Sequence, residues 1–168
     1  CVIFGTCFET GDDCIAIKSG KNPEGNIINR KTKNIRAFDC FAKSGHSIAI
    51  GSEMSGGVEN VTIWDCDMKN AAWGIHIKSA EKRGGYIRNV RVYDTDAAMV
   101  RIVGTVGYNN DGVAAPTFAR LSDFYFESNE ITLSPNQTMD LTPLVYPDTE
   151  WPELLNYKSL NEKVAVVR

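Results

Sequence analysis

"NIRAFDC" (34–40), "NVTIWDC" (60–66) and "NVRVYDT" (89–95) are one seven-residue phrase written three times. Each alternates apolar and polar residues with the period of two that marks a strand. A looser copy, "DFYFESN" (123–129), follows, and "VIFGTC" (2–7) reads as a shortened first member. The aligned closing positions are Cys7, Cys40, Cys66, Thr95 and Asn129, spaced by 33, 26, 29 and 34 residues. Between the copies runs a second recurring strand: "CIAIKSG" (14–20), "SIAIGSE" (47–53), "GIHIKSA" (74–80) and "VRIVGT" (100–105). Gly, Asn and Asp turns separate the strands, and no helical periodicity lies between them.

A unit of this size cannot bury its inward face alone, but units stacked as parallel coils can. Stacking puts Ile15, Ile48 and Ile75 in one inward column, and Ile17, Ile50, Ile77 and Ile102 in the next. The expectation is an all-β chain: a partial, right-handed parallel β-helix of about five coils spanning residues 1–133. Cys7, Cys40 and Cys66 read as buried stacking residues, while Cys14 either bridges to Cys40 or stays free. From Ser134 the pattern fades. The last 35 residues hold four of the six prolines, and 134–168 is expected to be a C-terminal cap, a loop or a tail.

Bulk properties narrow the class. The 168 residues suffice for one well-buried domain. The net charge of −3 argues against a nucleic-acid partner bound through a global positive field, and implies a local cationic patch for any anionic ligand. No apolar run approaches a membrane span. The five cysteines lack paired C-x-x-C spacing, so no metal centre of that kind is expected. Residue 1 is Cys, and "CVIFGTCFE" reads as a strand already under way, so the expectation is a piece of a longer chain.

The neighbours of the inward isoleucines face out. Ala16, Ala49, His76 and Arg101 form one outward column, and Lys18, Gly51, Lys78 and Val103 the next. Asp12 and Asp13 lie at the start of the same strand, with Gly45 and His46 in register one coil later. Two carboxylates, two imidazoles and two ammonium groups therefore meet on one surface. Adjacent carboxylates alone describe a solvated turn. Set beside histidine and lysine, one protonated and one ionised, they describe the acid and base that glycosidic hydrolysis requires. The neighbouring cations suit an anionic sugar.

"TGDDCIAIKSG" (10–20), "SGHSIAIGSEMSGGVENVTI" (44–63) and "GIHIKSAEKRGG" (74–85) resemble the polygalacturonase family, glycoside hydrolase family 28, over about residues 1–130. The resemblance implies a right-handed parallel β-helix that hydrolyses α-1,4-galacturonosyl links of pectin with inversion and without a metal or other cofactor. The implied partner is a polyanionic polysaccharide, pectin or homogalacturonan, met by a monomer that is secreted or periplasmic. Carried over by position, Asp12 matches the general acid and Asp13 one of the carboxylates that activate water. His46 matches the histidine that supports the acid, and Lys78 the lysine that binds a substrate carboxylate. Tyr108, in "TVGYNND" (105–111), matches a substrate-positioning tyrosine or packs as a loop residue.

Three features depart from the family pattern. The aspartate of its N-T-D segment would lie upstream of this chain, so the chain alone is expected to be weakly active or inactive. Ser47 stands where the G-H-G segment ends in glycine. His76 stands where the R-I-K segment begins with arginine, and it either donates a hydrogen bond, leaves the charge to Arg101, or has no partner. These departures keep open a rhamnogalacturonan or xylogalacturonan hydrolase, or a non-catalytic polyuronate-binding or structural β-helix. The polar segment "KNPEGNIINRKTKN" (21–34) resembles insertions of exo-acting members. Lys82 and Arg83 are expected near the same face. Asn60 and Asn136 fall in glycosylation sequons, of which Asn60 belongs to a repeat turn.

Overall fold

The computed structural model describes residues 1–127 and the strand 131–133. The segment 134–168, read from sequence as a cap, loop or tail, lies outside the described residues, as does Asn129. Among the described residues, ten strands and one helix follow in order: β1 (Val2–Glu9), β2 (Ile15–Ile17), α1 (Glu24–Ile28), β3 (Thr32–Ser44), β4 (Ser47–Ile50), β5 (Val58–Met68), β6 (Gly74–Lys78), β7 (Tyr86–Ala97), β8 (Met99–Val103), β9 (Arg120–Phe126) and β10 (Ile131–Leu133). Odd strands form one five-stranded sheet in the order β1-β3-β5-β7-β9, and even strands another in the order β10-β8-β6-β4-β2. Every pairing is parallel. This is a parallel β-helix: each coil gives one strand to each sheet, and its neighbours along the axis are the coils before and after.

The repeat phrase sets the bends. Asn34, Asn60, Asn89 and Asp123 stack with φ of 58°, 58°, 52° and 59°. Asparagine and aspartate tolerate this left-handed region better than other side chains, because their short polar groups bond locally. The amides then form a ladder, Asn89 Nδ2 donating to Asn60 Oδ1 at 2.7 Å and Asn60 Nδ2 to Asn34 Oδ1 at 3.0 Å. Asn60 is thereby a rung of the turn in this structure. Asp39, Asp65 and Asp94 make a second left-handed bend in each long strand.

Just before that bend, Phe4, Phe38, Trp64 and Tyr93 stack nearly parallel on the outside, with ring centroids 5.4, 4.5 and 6.0 Å apart. Such ring pairs contribute roughly 0.5–1.5 kcal/mol each beyond their burial. Because the rings face one another, each coil fixes the position of the next.

Inside, the isoleucine columns stand as expected: Ile15, Ile48, Ile75 and Val100 are in register, as are Ile17, Ile50, Ile77 and Ile102. Ile48, Ile50, Ile75 and Ile77 are wholly buried, each contributing about 1.5–3 kcal/mol.

Two details differ from the sequence expectation, at Cys7 and in the insertion, and of the two readings of Cys14 the structure shows the free thiol. Thr6, not Cys7, pairs with Cys40, because Gly5 at φ 58° occupies the place that Asp39 takes one coil later. Cys7 is accordingly exposed and outside the Cys40–Cys66–Thr95 column. Cys14 is a free thiol that donates to Ser44 O at 3.7 Å, so no bridge to Cys40 forms. The insertion at 21–34 contains the short helix α1, whose five residues are too few for a periodic signal.

Candidate active site

The Asp pair lies in the turn between β1 and β2, at the edge of the even-strand sheet. The coil stacking continues through it: His46 N donates to Asp12 O at 2.9 Å, Cys14 N to Ser47 O at 2.8 Å, and Trp73 N to His46 O at 2.9 Å. Asp13, His46 and Trp73 are therefore successive rungs at the mouth of one sheet.

The two carboxylates have opposite environments. Asp12 projects into solvent with its side chain 86% exposed, and its Oδ1 lies 3.1 Å from His46 Nδ1. The same oxygen accepts the Asp13 N–H at 2.8 Å. That backbone bond, helped by His46, holds the Asp12 carboxyl below the usual carboxylate range. Asp13 is enclosed. Its Oδ2 meets Lys78 Nζ at 2.8 Å, its Oδ1 accepts the Ser47 hydroxyl at 2.8 Å, and the Asp13 and Lys78 side chains are each only 9% exposed.

Ser47, a departure from the family pattern in sequence, is thus a ligand of Asp13. Strand parity carried this signal: with Ile48 pointing in, Ser47 points out beside the pair. Asp12, Asp13 and His46 each offer a ligand atom within 4.8 Å of the others, the spacing a cation would need. Lys78 and Ser47 each hydrogen-bond one oxygen of Asp13, so a cation there would compete with an ammonium group for the same carboxylate.

The outward column is in register as read, with Ala49 beside His76 and His76 beside Arg101. His76, however, is wholly buried. Trp73 covers it, with centroids 5.0 Å apart, while also touching His46 at 5.1 Å. The Arg101 guanidinium sits 5.3 Å over the same indole. Sequence reasoning missed Trp73, although its register one rung after His46 follows from Ser47 pairing with Gly74. Neither ring nitrogen of His76 has a hydrogen-bond partner.

Burial, then the charges of Lys78 and Arg101, push the His76 imidazole down to about 4; Asp13 opposes the shift, and His46 adds slightly to it. Unfolded, it would take its proton near pH 6.5. Between those values the unfolded chain binds more protons, so stability falls as pH drops from about 6.5 to about 4 and is fully present above that window. The loss from this residue amounts to roughly 3 kcal/mol. Melting His76→Phe beside wild type in the whole protein is expected to show the variant gaining by that amount between pH 7 and pH 4. A difference that does not change with pH would contradict the burial of His76.

The remaining residues divide. Tyr108 is exposed, with its ring centroid 6.0 Å from Lys78 Nζ. Lys18 pairs with Glu53 at 2.8 Å, whereas the ion pair of Asp13 is with Lys78. Arg83, expected at the charged face, is wholly buried, its guanidinium bonded to Ser52 O, Asn22 Oδ1 and Asn109 O. No periodic signal announced this, because the segments that cover Arg83 are non-repetitive loops.

Comparison with known proteins matches the sequence to a family. Residues 1–112 match the sequence model of glycosyl hydrolases family 28. A probable polygalacturonase of Vitis vinifera is 41% identical over 85 residues, covering 49% of this chain and 17% of that protein. A polygalacturonase of Ralstonia solanacearum is 37% identical over 89 residues, covering 51% and 15%. Polygalacturonase-2 of Solanum lycopersicum is 31% identical over 103 residues, covering 59% and 20%. The matched stretch contains the Asp12–Asp13 turn, the His46 coil and the Lys78 strand, and on that match the chain belongs to glycosyl hydrolases family 28.

Proposed function

We propose that this chain carries the acid/base face of a glycosidase that cleaves α-1,4-galacturonosyl linkages of pectin or polygalacturonate in the whole protein. The observation that carries the reading is the asymmetry of the pair: an exposed Asp12 on His46 beside an enclosed Asp13 clamped by Lys78 and Ser47. Asp12 protonates the glycosidic oxygen. Because its carboxyl sits low in the unliganded site, loading that proton calls for acidic medium or for added negative charge, which the substrate's own carboxylates bring. Asp13, with the upstream aspartate that the family resemblance implies, orients the water. Lys78 and Arg101 bind uronate carboxylates, and Tyr108 positions the sugar between them.

Inversion and exo action complete the proposal. The nearest oxygens of Asp12 and Asp13 lie within 4.8 Å, tighter than the ~6.5–9.5 Å typical of inverting pairs, so the upstream aspartate supplies part of the base in this scheme. The insertion is tied to the Tyr108 loop by the Lys21–Asp111 ion pair and by Asn22, which supports a groove closed at one end. A second reading, rhamnogalacturonan or xylogalacturonan as substrate, is favoured by His76: a buried, neutral imidazole is no substitute for a guanidinium facing a carboxylate.

The test is reducing-sugar release by the whole protein. Wild type is expected to release monogalacturonate from polygalacturonate, and Asp12→Asn to lose about 10²–10⁴-fold in rate. Release from rhamnogalacturonan alone would select the second reading. No release from either would leave a polyuronate-binding β-helix.

A further inference from the structure

Arg83 is the largest side chain wholly buried in the molecule among the described residues. Among the described residues no carboxylate is hydrogen-bonded to it; its partners are three neutral oxygens from three separate segments. Nε donates to Ser52 O, 2.9 Å away after β4. One terminal nitrogen donates to Asn22 Oδ1 in the insertion, and the other to Asn109 O in the loop that follows β8. Burying a guanidinium without a paired anion is costly, and a core built for stability alone would use an apolar residue there. What the planar fork provides is geometry: its donors hold three chain segments at fixed angles, which a flexible ammonium cannot do.

The segments it joins matter because one of them carries Tyr108, the residue before Asn109. The same loop is gripped from other sides. Asn22 Nδ2 donates to Asp111 O at 3.0 Å and Val113 O at 2.8 Å, and Lys82 N donates to Asn110 Oδ1 at 3.1 Å. Tyr108 itself is half exposed, with its ring near Lys78, so its placement depends on the backbone that bears it.

We propose that Arg83 is a positioning residue, whose buried guanidinium locks the 104–113 loop to the insertion and so holds Tyr108 across from Lys78. The proposal rests on the reading of Tyr108 as a substrate contact, and it adds that the insertion and the Tyr108 loop act as one rigid unit.

The test is Arg83→Lys in the whole protein, with Tyr108→Ala and the double variant. Amide hydrogen exchange in 104–113 is expected to quicken about tenfold or more in Arg83→Lys, while β6 and β7 keep their protection. KM for oligogalacturonate is expected to rise about tenfold with a smaller change in kcat, and the double variant to be no worse than Tyr108→Ala. Unchanged loop exchange, or losses that multiply in the double variant, would overturn the proposal. Where Arg83→Lys lowers protection in the strands as well, Asn22→Ser removes one partner and keeps the charge. The same loop-specific acceleration is then expected, and its absence overturns the proposal. A wild-type protein that leaves every pectic substrate intact overturns the hydrolase reading alone, and the exchange arm then decides the positioning role by itself.

Discussion

Replacing Lys78 by methionine is expected to destabilise the whole protein by about 3–5 kcal/mol and to cost at least about a hundredfold in kcat/KM. The stability loss follows from burial. Asp13 and Lys78 are each 9% exposed and meet at 2.8 Å, so removing the ammonium leaves an enclosed carboxylate with the Ser47 hydroxyl as its remaining side-chain partner. The activity loss follows from position, since the same ammonium orients Asp13 and, in the proposed scheme, binds a uronate carboxylate. The two effects separate in a second variant. Asp13→Asn/Lys78→Met has no stranded charge, and is expected to recover most of the lost stability and none of the activity. Chemical denaturation of the three proteins, with rates on polygalacturonate, checks both claims. A single variant within about 1 kcal/mol of wild type would mean that the pair is not shielded from water in solution.

Why Lys78 could be found at all from sequence is a matter of period. In a coil stack, position along the strand fixes direction, and register between coils fixes neighbourhood. Alternation in "GIHIKSA" and "SIAIGSE" therefore sufficed to place Lys78, His46 and the Asp pair on one face. The same logic gave the isoleucine columns and the asparagine turn. It failed by one residue at Cys7, where Gly5 takes the place of an aspartate in the bend.

It failed more completely wherever contacts come from parts of the chain that do not repeat. His76 points outward as alternation requires, yet it is buried because Trp73, from the turn before β6, folds over it. Arg83 is buried because the insertion and the loop after β8 meet above it. Neither loop carries a period, so neither contact was visible. The division is physical: repeats encode their own neighbours, and loops encode theirs only through the finished fold.

Gly51→Ala tests the tightest joint of that fold. The expected cost is about 3–5 kcal/mol, together with loss of most activity. Gly51 follows β4 with φ of 89°, a conformation that L side chains rarely adopt. A Cβ there would stand 1.9 Å from the carbonyl oxygen of Lys78 and 3.1 Å from its carbonyl carbon. Both are backbone atoms of the adjoining coil, so no rotamer change can relieve the clash. Either β4 and β6 separate at their ends, or Lys78 is carried away from Asp13. In both cases stability and catalysis fall together. Gly107→Ala is the control: a Cβ there meets nothing within 4 Å, so its effect is expected to stay within about 0.5 kcal/mol. A Gly51→Ala protein that melts like wild type would show that the two coils have more slack than this packing allows. Full activity in a destabilised variant would show instead that Lys78 holds its place without the backbone contact. The packing argues against both, because the glycine that lets β4 approach β6 lies against the residue that anchors Asp13.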